Sequence, residues 1–140
     1  MGVTYVAVEE AAPRRLLGYF TIAMSSVPRE AFPKKYVRGL PNYDLPLILL
    51  ARLAVDLRFS GKGIGHALIS EAFRISLRVS SEVGCRCVIT DAYLDRMSWY
   101  GRYGFIPIEA ASAEGTQKMF LDIRTMRQAL AVSVVGLKPR

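Results

Sequence analysis

Apolar and polar residues alternate over two short runs near the start of the chain, residues 3–9 (VTYVAVE) and 16–25 (LLGYFTIAMS), and both predict strands. The turn between them contains Pro13, so the pair reads as a hairpin. Residues 47–55 form a nearly continuous apolar run, the pattern of a buried strand. The period then changes. Ile64, Ala67, Leu68, Ala72, Ile75, Leu77 and Val79 recur mostly at three and four, which predicts a helix over 63–83 with Gly84 as its C-cap. Residues 86–93 predict a strand parallel to 47–55, because a helix joins them. Asp95 is expected to cap a short helix over 96–103 that stops at Gly104. Strands over 105–109 and 117–122, a helix over 123–132 and a loose tail from about 131 complete the reading. The 140 residues suffice for one domain, 1–140, with one core. Strands, a β-α-β crossover and strands again predict an α/β sheet of mixed direction.

Two stretches do not follow either period. Residues 26–44 are long and irregular, with three prolines, and carry Arg29, Lys34, Lys35 and Arg38. They read either as a basic contact surface for substrate or as a solvated loop. The second stretch, Arg58-Phe59-Ser60-Gly61-Lys62-Gly63 followed by Ile64-Gly65, joins the apolar strand to the long helix. Glycines there leave backbone amides with little side-chain cover at the positive end of a helix, a site for phosphate. Its spacing fits neither a Walker loop nor G-x-G-x-x-G. It does fit R/Q-x-x-G-x-G/A after a strand ending in Val55-Asp56.

Net charge is +7, which favours a polyanionic partner. No apolar run is long enough to span a membrane. Cys85 and Cys87 lie on one face of a predicted strand. They are too close for a disulfide, and with a single histidine in the chain they complete no zinc site, so they read as buried thiols in a reducing cytoplasm.

The 58–63 loop resembles the acyl-CoA loop of the GNAT superfamily of N-acetyltransferases. Ser98-Trp-Tyr-Gly-Arg-Tyr-Gly-Phe105 resembles that superfamily's Y-x-x-x-G-F segment. The resemblance implies a mixed, mostly antiparallel sheet whose central parallel pair splays apart, with flanking helices. Acetyl-CoA is the implied cofactor. Leu53, Ala54 and Val55 would hold its pantetheine arm as an added strand, and Arg58 and Lys62 would meet its phosphates. Phe59, Ser60 and the amides from Gly61 through Gly63, Ile64 and Gly65 to His66 would surround the pyrophosphate. Tyr103 is placed with the same set, and Tyr100 takes the role of general acid toward the leaving thiolate. No metal is expected.

LARLAVDLRFSGKGIGHALISEA, the upstream PKKYVRGLPNYDLPLILL and the late KMFLD are similar to GNAT toxins of type II toxin–antitoxin modules, which acetylate the α-amine of aminoacyl-tRNA. That resemblance implies aminoacyl-tRNA as acceptor, a ribbon–helix–helix antitoxin and a homodimer. The chain begins at what resembles the second segment of those toxins. An ordinary GNAT enzyme of a small or protein amine, and a truncated CoA-binding domain, are the alternatives.

Acid–base chemistry bears on the acceptor. A lysine amine with a pKa of about 10.4 needs a placed base, whereas an α-amine starts near about 8 and an aminoacyl ester lower still. His66, near the cofactor phosphates, reads as a packing residue or a phosphate contact. Glu9, Asp44 and Asp91 are the candidate bases, unranked. Arg52 interrupts the apolar strand. Alternation puts it on the face of Leu50 and Ala54, where it either pairs with a buried acid or points into the acceptor groove. With Lys34, Lys35 and Arg38 it forms the candidate substrate-binding set.

Overall fold

The structure, a computed structural model, describes residues 2–40 and 44–136. Pro41 of the irregular segment, and residues 137–140 of the expected tail, lie outside the described residues. Six strands form one mixed sheet in the order β1-β2-β3-β4-β6-β5. They are β1 (Val3–Val8), β2 (Leu16–Val27), β3 (Leu45–Val55), β4 (Cys87–Tyr93), β5 (Ile106–Pro107) and β6 (Thr116–Asp122). Among the described residues only β3 and β4 pair in parallel, as the connecting helix α2 (Ile64–Val83) requires. Gly84 closes α2 in the left-handed conformation expected of a C-cap.

Each face of the sheet carries its own core. Toward α2, Leu68, Ile69, Ala72, Phe73 and Ile75 bury against Phe20, Ile48, Leu50 and Val88. Ala67, read from periodicity as part of this stripe, is instead exposed, because the stripe turns on Ile69 and Phe73. α3 (Met97–Gly101) and α4 (Ile123–Gly136) adjoin the same face, and Asp122 accepts from Thr125 N–H at 2.6 Å to start α4. The helix expected to end near 132 therefore runs on to Gly136, into the segment expected to be loose.

The opposite face is covered by residues 28–40, which fold rather than wander. A single 3₁₀ turn over Arg29–Ala31 precedes α1 (Lys34–Val37). Phe32 and Val37 bury against Leu47, Ile89 and Phe120. Arg29 donates to Leu40 O at 2.6 Å and Val37 O at 3.2 Å, which ties the segment together from within. Asp95 does not cap a helix: it lies inside the 3₁₀ turn Leu94–Arg96, and α3 has no side-chain cap. No helix of the described residues is long and apolar enough to cross a membrane.

Cys85 and Cys87 are unbridged and buried. Burial pushes the Cys87 thiol up to about 12, with Tyr36 and its hydroxyl packed alongside. The folded protein thus holds the neutral thiol while the unfolded chain ionises it near 9. This stabilisation is complete below the unfolded value and is lost as pH rises toward the folded one. Unfolding free energy, read from urea melts, should fall by about 1 kcal/mol between pH 8 and pH 10 on this account. Cys87→Ala should flatten that slope, and an equally steep slope in the variant would refute the assignment.

Candidate active site

The site begins where the parallel pair stops. β3 and β4 share three rungs, Ile48–Val88, Leu49–Ile89 and Leu50–Thr90. Beyond them β3 continues to Val55 and β4 to Tyr93 with no pairing between the two. A β-bulge forces the divergence. Thr21 on β2 faces Arg52 while Ile22 faces Leu50, which leaves Ala51 as an extra residue that bends β3 at the fork. Thr90 Oγ1 donates to Leu50 O at 2.9 Å, satisfying the last carbonyl before the strands part. Past the bulge, β3 is paired to β2 alone, and its other edge is free for an extended ligand.

The bulge also changes which residues face which way. Leu50, Leu53 and Val55 all turn toward the α2 core, although 50 and 53 differ in parity. Arg52 and Ala54 turn to the other face, so Arg52 does not share a face with Leu50 as alternation predicted. Arg52 is exposed, and no acid among the described residues forms an ion pair with it. It lines a shallow, open groove of about 530 Å³ with Thr4, Val6, Tyr19 and Thr21. Of its two readings, the buried pair is overturned.

The glycine loop meets the wedge from the α2 side. Phe59 N–H bonds Asp56 O and Ser60 N–H bonds Leu57 O, and the next backbone bond along the loop is Ala67 N–H to Gly63 O. Within the described residues, the amides of Gly61 to Gly65 have no backbone partner in this segment, as the first turn of a helix dictates. Gly61 and Gly63 both hold φ of +78°, and Gly63 is the N-cap of α2. The space where their side chains would stand is open. A phosphate can therefore come within hydrogen-bonding distance of the backbone. These residues fit the pyrophosphate of an acyl-CoA.

Arg58, expected among the phosphate contacts, also has a protein partner. Its guanidinium is held by Asp56 at 3.0 and 3.1 Å, and its pKa is raised by that pairing while Asp56's carboxyl is held below the usual range. Arg15, Arg58 and Lys62 converge on the Phe59 ring, at 5.1, 5.6 and 5.9 Å from its centroid. His66 is exposed, not packed in the core, and its Nδ1 lies 2.8 Å from the Tyr103 hydroxyl. Tyr103 in turn stacks edge-on against Phe73 and Trp99.

Tyr100 sits beside the fork. It is 8% exposed, packed edge-on by Trp99 and Phe105, with Thr90 next to its hydroxyl. Burial raises its pKa above that of an ordinary phenol, and the Thr90 hydroxyl partly offsets this. Gly104 explains the glycine of the segment: at φ +102°, a Cβ would stand 2.8 Å from Thr125 Cγ2.

The remaining expected residues are not gathered in one place. Lys34, Lys35 and Arg38 are all exposed around α1. Of the three carboxylates, Glu9 is bound by Arg15, which lowers its pKa, and Asp44 is exposed. Asp91 is the one at the fork, one residue past the last rung. It accepts from Lys118 Nζ and from Ser112 Oγ, each at 2.7 Å. Sequence reading missed Thr90, Lys118 and Ser112, which carry no local signal, and Trp99, whose place inside SWYGRYGF could have flagged it. Trp99 Cζ2 would lie 3.4 Å from a Cβ on Gly65, so the indole closes the first turn of α2.

No protein-family model matches the chain. It is 30% identical over 92 residues to a tRNA-acetylating toxin of Mycobacterium tuberculosis, covering 65% of this chain and 55% of that protein. It is 23% identical over 135 residues to a probable toxin TacT of Sinorhizobium fredii, covering 90% and 72%. The chain thus spans about half the length of the first relative. Two solved structures share its fold at 26% identity. One is AtaT complexed with acetyl-methionyl-tRNAfMet, with a TM-score of 0.81 over 91% of this chain and 74% of that one. The other is AtaTR bound with AcCoA, with a TM-score of 0.72 over 91% and 73%. The resemblance read from the sequence, and the α/β fold it implied, agree with both comparisons.

Proposed function

We propose that this chain, a GNAT-fold relative of the tRNA-acetylating toxins, transfers an acetyl group from acetyl-CoA to the α-amine of aminoacyl-tRNA. One observation carries the reading: the parallel pair parts immediately after Leu50–Thr90, with bare glycine amides above the opening and Tyr100 at its base. The solved relatives named with acetyl-CoA and with an acetylated methionyl-tRNA support the two substrates.

In this reading the free edge of β3 at Leu53, Ala54 and Val55 binds the pantetheine amides as a neighbouring strand would. Amides from Gly61 to Gly65 hold the pyrophosphate, and Lys62 adds charge beside it. The amine attacks the thioester directly, so the protein contributes placement and proton handling rather than a covalent intermediate. Tyr100 donates its hydroxyl proton to the departing thiolate. Lys34, Lys35, Arg38 and Arg52 supply cations for the tRNA backbone on the exposed face. Unbridged cysteines and a tRNA substrate fit a reducing cytoplasm. A ribbon–helix–helix antitoxin and a homodimer are parts of the same proposal, taken from the resemblance.

The test is transfer of labelled acetyl from acetyl-CoA to total charged tRNA, with deacylated tRNA as control. Label is expected on charged tRNA alone, and its rate should fall steeply as salt rises. Transfer to small amines with no salt dependence and none to tRNA would establish the ordinary acetyltransferase instead. Binding of acetyl-CoA without transfer to any amine would leave only a CoA-binding domain.

A further inference from the structure

The fork has two faces, and only one is open. Toward α2 the space beside it is filled by Leu53, Val55, Trp99 and Tyr100. On the other face stand Arg52 and Ala54 from β3 and, by alternation from Ile89, Asp91 and Tyr93 from β4. Acyl-CoA enters over the α2 N-terminus, so the acceptor must reach the thioester from the face opposite α2. Among the described residues Asp91 is the carboxylate on the strands bordering the fork. It is an acid on a chain of net charge +7, on the same face of the sheet as the exposed Arg52 of β3.

Asp91 is also built in. Its side chain keeps 31% exposure while that of its partner Lys118 keeps 14%. Lys118 lies directly across the β4–β6 ladder, and Ser112 reaches back from the loop before β6. Both bind Oδ1 at 2.7 Å, and Ser112 is a further 2.7 Å from Thr116 Oγ1. One oxygen is thus fixed by two donors, while Oδ2 has no hydrogen-bond donor among the described residues.

We infer that Asp91 is the acceptor-binding carboxylate: Oδ2 receives the α-ammonium of the incoming aminoacyl ester and takes its first proton. This rests on the proposed function and names the residue that selects a cationic amine at that site. The ammonium gives one proton to Asp91, which passes it to water. The freed nitrogen pair forms the C–N bond to the thioester carbon as the C–S bond breaks. The thiolate takes the Tyr100 proton, and the second proton leaving nitrogen restores Tyr100 through solvent. The net products are the amide, CoA thiol and one proton.

The experiment compares wild type with Asp91→Asn for kcat and KM toward charged tRNA, affinity for acetyl-CoA, and inhibition by acyl-tRNA bearing a hydroxyl in place of the α-amine. The expected variant has kcat/KM for charged tRNA about 30-fold lower, mostly in KM, with acetyl-CoA affinity unchanged. It binds amino and hydroxy esters alike, whereas wild type prefers the amine. A loss through structure alone would not erase that preference. Asp91→Asn within about threefold of wild type, or with the preference kept, overturns the inference while the functional reading stands. If the single variant melts early, Asp91→Asn with Lys118→Met removes the stranded ammonium and is read in its place. A wild type that labels a small amine instead of tRNA overturns the proposed acceptor, and Asp91 is then judged with that amine and its hydroxyl analogue. A wild type that labels no amine overturns both.

Discussion

Tyr100→Phe is expected to lower turnover about 100-fold while leaving acetyl-CoA affinity unchanged. The phenol lies 8% exposed beside the last rung of the parallel ladder, and burial keeps it neutral beyond the usual phenol range. A thiolate forms beside this buried ring, so a neutral hydroxyl pointed at the sulfur stabilises the transition state. Proton transfer from a phenol of pKa about 10 to a thiolate of about 8.5 is mildly uphill in water. Desolvation raises both partners, so the small mismatch does not grow. Phenylalanine preserves the ring contacts with Trp99 and Phe105 and removes only the oxygen. Thr90 already donates to Leu50 O, so no new orphan arises there. Single-turnover rates with titrated acetyl-CoA binding check this, and a rate within about twofold of wild type would remove Tyr100 from the mechanism. Because the raised pKa puts ionisation of Tyr100 above the ordinary phenol value, no loss of rate from this group is expected below about pH 10.

Gly63→Val should do the converse, weakening acetyl-CoA binding about 30-fold or more while kcat at saturation stays near wild type. Two effects add. The N-cap holds φ at +78°, where a β-branched side chain costs about 1–2 kcal/mol. The open space above the loop, where no atom lies within 4 Å of a Cβ on Gly61 or Gly63, would then hold an isopropyl group in the path of the pyrophosphate. Breaking one charge-assisted hydrogen bond from a backbone amide costs about 1.5–3 kcal/mol, or tenfold or more in affinity. Calorimetric titration with acetyl-CoA reads the affinity, and a thermal melt reads the strain separately. Unchanged affinity in a folded variant would mean that the pyrophosphate does not use this loop.

Much of this was legible in the chain because it depends on local rules. Period two and period three-to-four located β1, β2 and α2. Glycine spacing located the positive-φ turns at Gly61 and Gly63 and the start of α2 just after them. What escaped depends on partners distant in sequence. The 28–40 segment has the proline-rich irregularity of a loop, yet Phe32 and Val37 find Phe120 and Ile89 and fold it onto the sheet. Asp95 had the right residue type for a cap, but the chain enters α3 through a 3₁₀ turn that uses no side chain. Asp91 gained its standing from Lys118 and Ser112, 27 and 21 residues away. The hold of Asp56 on the Arg58 guanidinium is a local pairing that the sequence reading did not include.

Ala51 has a consequence that resembles a frameshift. A strand is read in steps of two, and one extra residue puts everything downstream into the other frame. Before Ala51, β3 is written in the frame of the core, with Ile48 and Leu50 facing α2. After it, the message continues with Leu53 and Val55 toward α2, and the positions that would have been interior, Arg52 and Ala54, are spelled outward. One strand thus carries two texts, one turned to the core and one turned to an open groove, with a single alanine as the punctuation between them.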